Sequence, residues 1–408
     1  MTWDTSRRVF LRGAGLAAVG VGFHPSSLLV RTAQAAGAGP RALVHVFIRG
    51  GLDGLSVAVP YGEAEYYNLR GAIALPRPGQ AGGVVNLDGT FGLHPGLAPL
   101  KALWDAGRLA IVPAVGNYGL TRSHFDAQDF METGTPGERT TATGWLDRVL
   151  KSLPGSSVTE AAAFQSQMPR SFLGPEPVLV AQTLQSFDIR ARNWRAEAES
   201  LLRAMYAHGT SDVYRVGRET LDAVQALLTM PTLNAAPANG ASYPDGAIGS
   251  GLRQTAQIIR GGLGTRCFFV SVSGQFDTHS GQLASHDLEL TRIGAALAGF
   301  AQDLGALLDD VVVLVSTEFG RTAAVNGAAG TDHGSAHCSL VMGGGVRGGR
   351  ILGGWPGLSP GRLHEGRELA VTTDYRDLFA EIARKHLGVD TAQLFPGYTP
   401  GPGPGVLA

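Results

Sequence analysis

The sequence predicts an α/β fold with a mainly parallel central sheet flanked by helices. Four short, β-rich and almost continuously apolar runs recur along the chain, each ending in a polar or glycine-rich turn. Runs of that kind mark strands buried on both faces, as in parallel sheets. Between the last two lies a single apolar helical stripe, and strand, helix, strand in that order implies a right-handed crossover. No repeat with a period of roughly 20–50 residues is present, which argues against solenoids and propellers.

The first run is Leu43-Val44-His45-Val46-Phe47-Ile48, followed by Arg49-Gly50-Gly51-Leu52-Asp53-Gly54. The second spans 110–115 and ends in Gly116-Asn117. The third, 267–272, ends in Ser273-Gly274-Gln275-Phe276-Asp277, and the fourth, 311–315, in Ser316-Thr317-Glu318-Phe319-Gly320. The helical stripe between them is Ile293, Leu297, Phe300, Leu304 and Leu307, at alternating steps of four and three. Helical patterns also fit 194–206, 213–228 and 374–386, and a helix begins after Ser123 and runs through Glu132. A Pro-, Gly-, Ala- and Asn-rich stretch, 229–250, reads as an exposed loop inserted in a single domain, 36–395. The Pro/Gly tail at 396–408 is expected to be irregular.

Composition narrows the function. A formal net charge of −1 and no Lys/Arg-rich block make nucleic acid an unsuitable partner. A hydrophobic content of 44% supplies a buried core and excludes wholesale disorder. The two cysteines, Cys267 and Cys338, lack CxxC spacing, so neither a disulfide framework nor a zinc finger is expected.

The N-terminus reads as an address. Ser6-Arg7-Arg8-Val9-Phe10-Leu11-Arg12, a Gly/Ala-rich apolar stretch and the small-x-small sequence Ala33-Gln34-Ala35 follow in the order of a twin-arginine signal peptide, 1–35. That route carries folded, often metal-loaded proteins. No later stretch supplies the ~20 apolar residues needed to span a bilayer, so a soluble periplasmic or secreted domain is expected.

Ligands of open α/β sheets bind beyond the carboxyl ends of the strands. Those ends carry Asp53, Asp277 with His279, and Glu318 with Arg321, and a downstream loop adds Asp332, His333 and His337. Carboxylates and imidazoles on converging loops are what a divalent cation needs. Taken singly, each also reads as a turn-former, a cap, an ion pair or a surface residue; their recurrence after successive strands favours a site. Ser123, near a helix N-terminus, is either a nucleophile or an N-cap completed by Asp126.

The segments Phe47 to Gly54, Arg122-Ser123-His124-Phe125-Asp126-Ala127-Gln128-Asp129, Phe276-Asp277-Thr278-His279, Ser316 to Thr322 and Asp332-His333-Gly334, with the twin-arginine start, resemble the DUF1501 family of exported proteins. More loosely, the chain resembles the alkaline phosphatase/sulfatase superfamily. That resemblance implies an alkaline-phosphatase-like fold with insertions and metal ligands Asp53, Asp277, His279, Glu318, His333 and His337. Zinc is the expected divalent metal, with manganese or calcium as alternatives. Phe319 stands where the superfamily has a histidine, and His124 or His337 is the expected replacement.

The implied activity is metal-assisted hydrolysis of a phosphate or sulfate ester, on a small-molecule or glycan substrate. Ser123 or His124 lies in the nucleophile region, Arg122 or Arg321 would neutralise the equatorial oxygens, and an imidazole free of metal would protonate the leaving group. The alternative is a non-catalytic envelope protein that keeps the fold to bind a protein partner or glycan.

Overall fold

The computed structural model describes residues 40–408 except 120, 155, 156 and 190. The signal expected at 1–35 lies outside the described residues. A nine-stranded sheet forms the centre. Its strands are β1 (Ala42–Arg49), β2 (Leu109–Gly116), β3 (Ala161–Ala163), β4 (Leu179–Val180), β5 (Cys267–Ser273), β6 (Val311–Thr317), β7 (His337–Gly343), β8 (Arg350–Ile351) and β9 (Thr373–Asp374). They lie in the order β8-β2-β7-β6-β1-β5-β3-β4, with β9 also pairing with β2. Helices of eight residues or more are α1 (His124–Thr133), α2 (Trp145–Ser152), α3 (Arg195–Tyr206), α4 (Asp212–Leu228), α5 (Ala247–Gly261), α6 (Gln282–Leu304) and α7 (Tyr375–Leu387).

The four apolar runs are four strands of this sheet, because both of its faces are covered. On β1, Val44, Val46 and Ile48 share one core with Leu252 of α5 and Ile293, Leu297 and Phe300 of α6. Leu43 and Phe47 share the opposite core with Trp145 and Val149 of α2 and Phe379 and Ile382 of α7. Each fully buried side chain of this kind stabilises the fold by about 1.5–3 kcal/mol. β5 and β6 are parallel to β1 and flank it on either side. The connection through α6 therefore passes over β1 instead of joining neighbours.

The sheet is mainly parallel, as expected, with one antiparallel core strand, and two further features depart from the sequence expectations. β7 runs antiparallel between β2 and β6, so the sheet is mixed. The stretch 229–250 is not all exposed loop: Met230 and Leu233 are buried and α5 starts at Ala247. Leu307 is half-exposed and falls outside the α6 stripe, since α6 ends at Leu304 with Gly305 at φ +54. The tail packs on the domain. Val406 and Leu407 are buried, and Glu381 of α7 accepts the N–H groups of Gly405 and Leu407.

Candidate metal centre

The site is assembled where β1, β5 and β6 end side by side. After β1 the chain turns through Gly50 (φ +123) and Gly51 (φ +64). A Cβ on Gly51 would sit 2.5 Å from the Phe319 ring, so only glycine permits this approach. The turn is pinned by Arg321, which is buried. Its Nε donates to the Gly51 carbonyl (2.7 Å), Nη1 to Thr331 O (3.1 Å), and Nη2 to Gly50 O (3.0 Å), Phe276 O (3.0 Å) and Asp277 Oδ1 (2.6 Å). This guanidinium spends its N–H groups clamping three strand-end turns together. The resemblance implied a substrate clamp; the contacts of this guanidinium are with the turns and with Asp277.

Asp277, thus oriented, meets three imidazoles. Its Oδ1 lies 3.0 Å from His333 Nε2 and 3.0 Å from His279 Nε2, and its Oδ2 lies 3.4 Å from His124 Nε2. His124 Nε2 and His333 Nε2 are 3.1 Å apart, as are His279 Nε2 and His333 Nε2. The ligand atoms of His124, Asp277 and His333 all fall within 4.8 Å of one another. Ligands around a tetrahedral cation at ~2.0–2.1 Å are separated by about 3.3 Å, so these edges have the right length.

The other ring nitrogens decide what the cluster wants. His124 Nδ1 faces Glu318 Oε1 at 2.7 Å, His333 Nδ1 faces the Arg122 carbonyl at 2.7 Å, and His279 Nδ1 faces Asp332 Oδ1 at 3.0 Å. All three partners are acceptors, so each Nδ1 carries a hydrogen and each ring is oriented with its Nε2 toward the cluster. The Nε2 atoms and the Asp277 carboxylate lie 3.0–3.4 Å from one another, a spacing at which one cation could take the place of the Nε2 hydrogens. The donor set suits zinc or a similar ion. Partial burial alone would raise the Asp277 pKa, but His333, Arg321 and His124 hold its carboxyl well below the usual range.

Glu318, expected as a ligand, stands behind His124 instead. Besides His124 it accepts Gln128 Nε2 (2.9 Å), Gly50 N (2.8 Å) and the Thr317 hydroxyl (2.8 Å). Burial alone would raise its pKa; these donors keep it lowered and the carboxylate ionised. Gln128 is in turn held by Arg49 Nη1 (2.8 Å), whose Nη2 bonds Glu132 (2.7 Å).

Asp53 also stands outside the cluster. Its carboxylate is buried and paired with Arg70, which comes from the short helix Ala64–Arg70 and donates to both oxygens. Ser56 Oγ (2.7 Å), Gln282 Nε2 (2.6 Å) and Leu55 N (3.2 Å) complete its shell. Burial would raise its pKa, but the Arg70 charge outweighs that and lowers it to about 2. A guanidinium built into the fold already supplies its counter-charge.

His337 is the third displaced residue. It opens β7, is fully buried, and both ring nitrogens lack a hydrogen-bond partner among the described residues. Burial lowers its pKa to about 4, which keeps the ring neutral.

Ser123 occupies the N-cap position of α1 but makes no capping bond with its side chain, and Asp126 pairs with Arg139 instead of completing a box. Among the described residues its hydroxyl has no hydrogen-bond partner, and it adjoins His124 at the helix N-terminus. Arg122, half-exposed, pairs with Glu365 and Glu368.

Sequence reasoning missed Gln128 and Arg70 as parts of this neighbourhood, whereas Asp332 was named with its loop. Gln128 lies one helical turn beyond His124, so spacing alone marks it. Arg70 carries no such signal, because only the fold brings it to Asp53.

No helix among the described residues is long and apolar enough to cross a membrane. A search of curated proteins finds no match. The backbone is similar to the zinc complex of the C-terminal periplasmic domain of EptC from Escherichia coli (11% identity, TM-score 0.36, covering 76% of this chain and 74% of that one). It is also similar to the lipoteichoic acid synthase LtaP from Listeria monocytogenes (10%, 0.36, 87% and 73%). A third similar structure is alkaline phosphatase from the Antarctic bacterium TAB5 (12%, 0.30, 75% and 92%). The model of the family described as "Protein of unknown function (DUF1501)" matches residues 40–402, and the chain belongs to that family.

Proposed function

We propose that this chain is an exported metal-dependent hydrolase of phosphate or sulfate esters. The observation that carries the reading is the inward convergence of His124 and His333 Nε2 with Asp277, while each Nδ1 is held by an acceptor outside. His124, Asp277 and His333 would hold one divalent cation, and three protein ligands leave a position open, as catalytic rather than structural sites do. When bound, the cation supplies positive charge that polarises the ester and eases deprotonation of a hydroxyl or water.

The remaining residues divide the work. Glu318 and the Arg122 carbonyl fix the tautomers of His124 and His333. Ser123, whose hydroxyl has no partner among the described residues and which sits at the N-terminus of α1, is the nucleophile; the N–H groups of that first turn favour the anionic end of the ester. His279 is about half-exposed at the rim and its Nδ1–H is anchored by Asp332, so in its imidazolium form the Nε2–H is the group that gives a proton to the leaving oxygen. Arg122 offers its guanidinium to the ester's outer oxygens from the same loop.

Metal analysis of the purified protein, with turnover measured on aryl phosphates and aryl sulfates, tests this reading. One equivalent of metal and turnover are expected, with both lost in His333→Ala and only turnover lost in Ser123→Ala. Substoichiometric metal, or turnover unchanged in His333→Ala, overturns it.

A further inference from the structure

A groove of about 370 Å³ opens beside this centre, at the carboxyl ends of β3 and β5. The residues that line it include Ser166, Ser250, Ser271, Ser273, Gln182 and Phe164, and none of its lining residues is acidic or basic. Among the described residues, the side chains of Ser166, Ser273 and Gln182 make no hydrogen bond within the protein, so their donors and acceptors face solvent in the groove.

Two connections tie the groove to the metal centre. Ser271 and Ser273 sit on the last turns of the strand that delivers Asp277. Arg49 joins the two regions from the other side: Nε donates to Ser271 Oγ (2.8 Å) and Nη1 to Gln128 (2.8 Å), which bonds Glu318 behind His124. These links place the groove next to the strand end that leads to Asp277.

We infer that the groove binds the alcohol portion of the substrate, and that this portion is a neutral, polyhydroxylated ring system of the saccharide type. Uncharged hydroxyls and an amide pair with ligand hydroxyls as both donors and acceptors, whereas a charged ligand group would find no counter-charge there. Phe164 offers an apolar surface for the C–H face of a ring. The inference rests on the hydrolase reading for the word substrate, but binding itself does not require a metal.

Saturation-transfer NMR on the full protein with maltotriose, cellotriose, xylotriose and chitotriose separates the two. Transfer to at least one trisaccharide is expected. Ser273→Trp, a change at an exposed strand end that fills the groove, should weaken that binding at least tenfold, Gln182→Ala should weaken it less, and His333→Ala should leave it intact. Circular dichroism checks that each variant is folded. Absence of transfer to all four, or undiminished transfer to folded Ser273→Trp, overturns the inference. Metal binding and aryl-ester turnover without sugar binding remove this inference alone; sugar binding without metal removes the hydrolase reading alone.

Discussion

Asp53 and Asp277 are both aspartates delivered by strand ends at the same edge of the sheet, and they have opposite fates. Asp53 is buried, and Arg70, Ser56, Gln282 and a backbone N–H saturate its oxygens. Asp277 is about half-exposed and faces three imidazole Nε2 atoms whose Nδ1 partners are all acceptors. The first carboxylate has its cation covalently supplied by the chain; the second has only part of its need met by Arg321 and shares the rest with imidazoles. Counting acidic residues at strand ends does not separate the two. Counting which ring nitrogen holds the hydrogen does.

That contrast yields a series of substitutions. Asp277→Ala should drop bound metal from about one equivalent to below about 0.1, with a loss of turnover of about a thousandfold or more; Asp53→Ala should leave metal content unchanged. The reverse holds for stability: Asp53→Ala strands a buried guanidinium and should cost about 3–5 kcal/mol in urea unfolding. Asp277→Ala, at a part-exposed position, should cost much less. Retained metal in Asp277→Ala would erase the distinction. His279→Gln sharpens it from inside the cluster, since metal should stay while kcat falls about 10²–10⁴-fold. Glu318→Gln, acting only through His124, should weaken metal affinity about 10–100-fold in a chelator competition.

The smallest effect is a pH dependence. The folded-state pKa of Asp53, about 2, lies below its ordinary 3.8. Its contribution to stability is therefore complete above the ordinary value and is lost as pH falls through about 2. The expected size is about 2 kcal/mol, from 1.36 kcal/mol per pKa unit, measured as urea midpoints between pH 5 and about 2 in wild type and Asp53→Asn. An identical acid profile in both would contradict the Arg70 pairing.

Much of the fold was legible. β1, β2, β5 and β6 announce themselves because cover on both faces makes a strand continuously apolar. β7 is harder, since His337, Cys338 and Ser339 interrupt its pattern, and its direction depends on the segment before it. No crossover helix separates β6 from β7, which is why β7 returns antiparallel. Of the candidate site, Asp277, His279, His333 and His124 lie together. Asp53, Glu318 and His337 were chosen for the same reason as these and stand elsewhere, because a sequence records donor types but not which acceptor each one meets. The partnering of Asp53 by Arg70 is a long-range fact of packing, invisible to spacing.

X-ray absorption at the metal edge of the purified protein tests the central claim most directly. The account predicts one metal per chain with imidazole scattering from two histidines, reduced in His124→Ala and in His333→Ala and unaltered in Asp53→Ala. A metal-free protein that cannot be loaded, or a spectrum without imidazole that ignores both histidine substitutions, would contradict it.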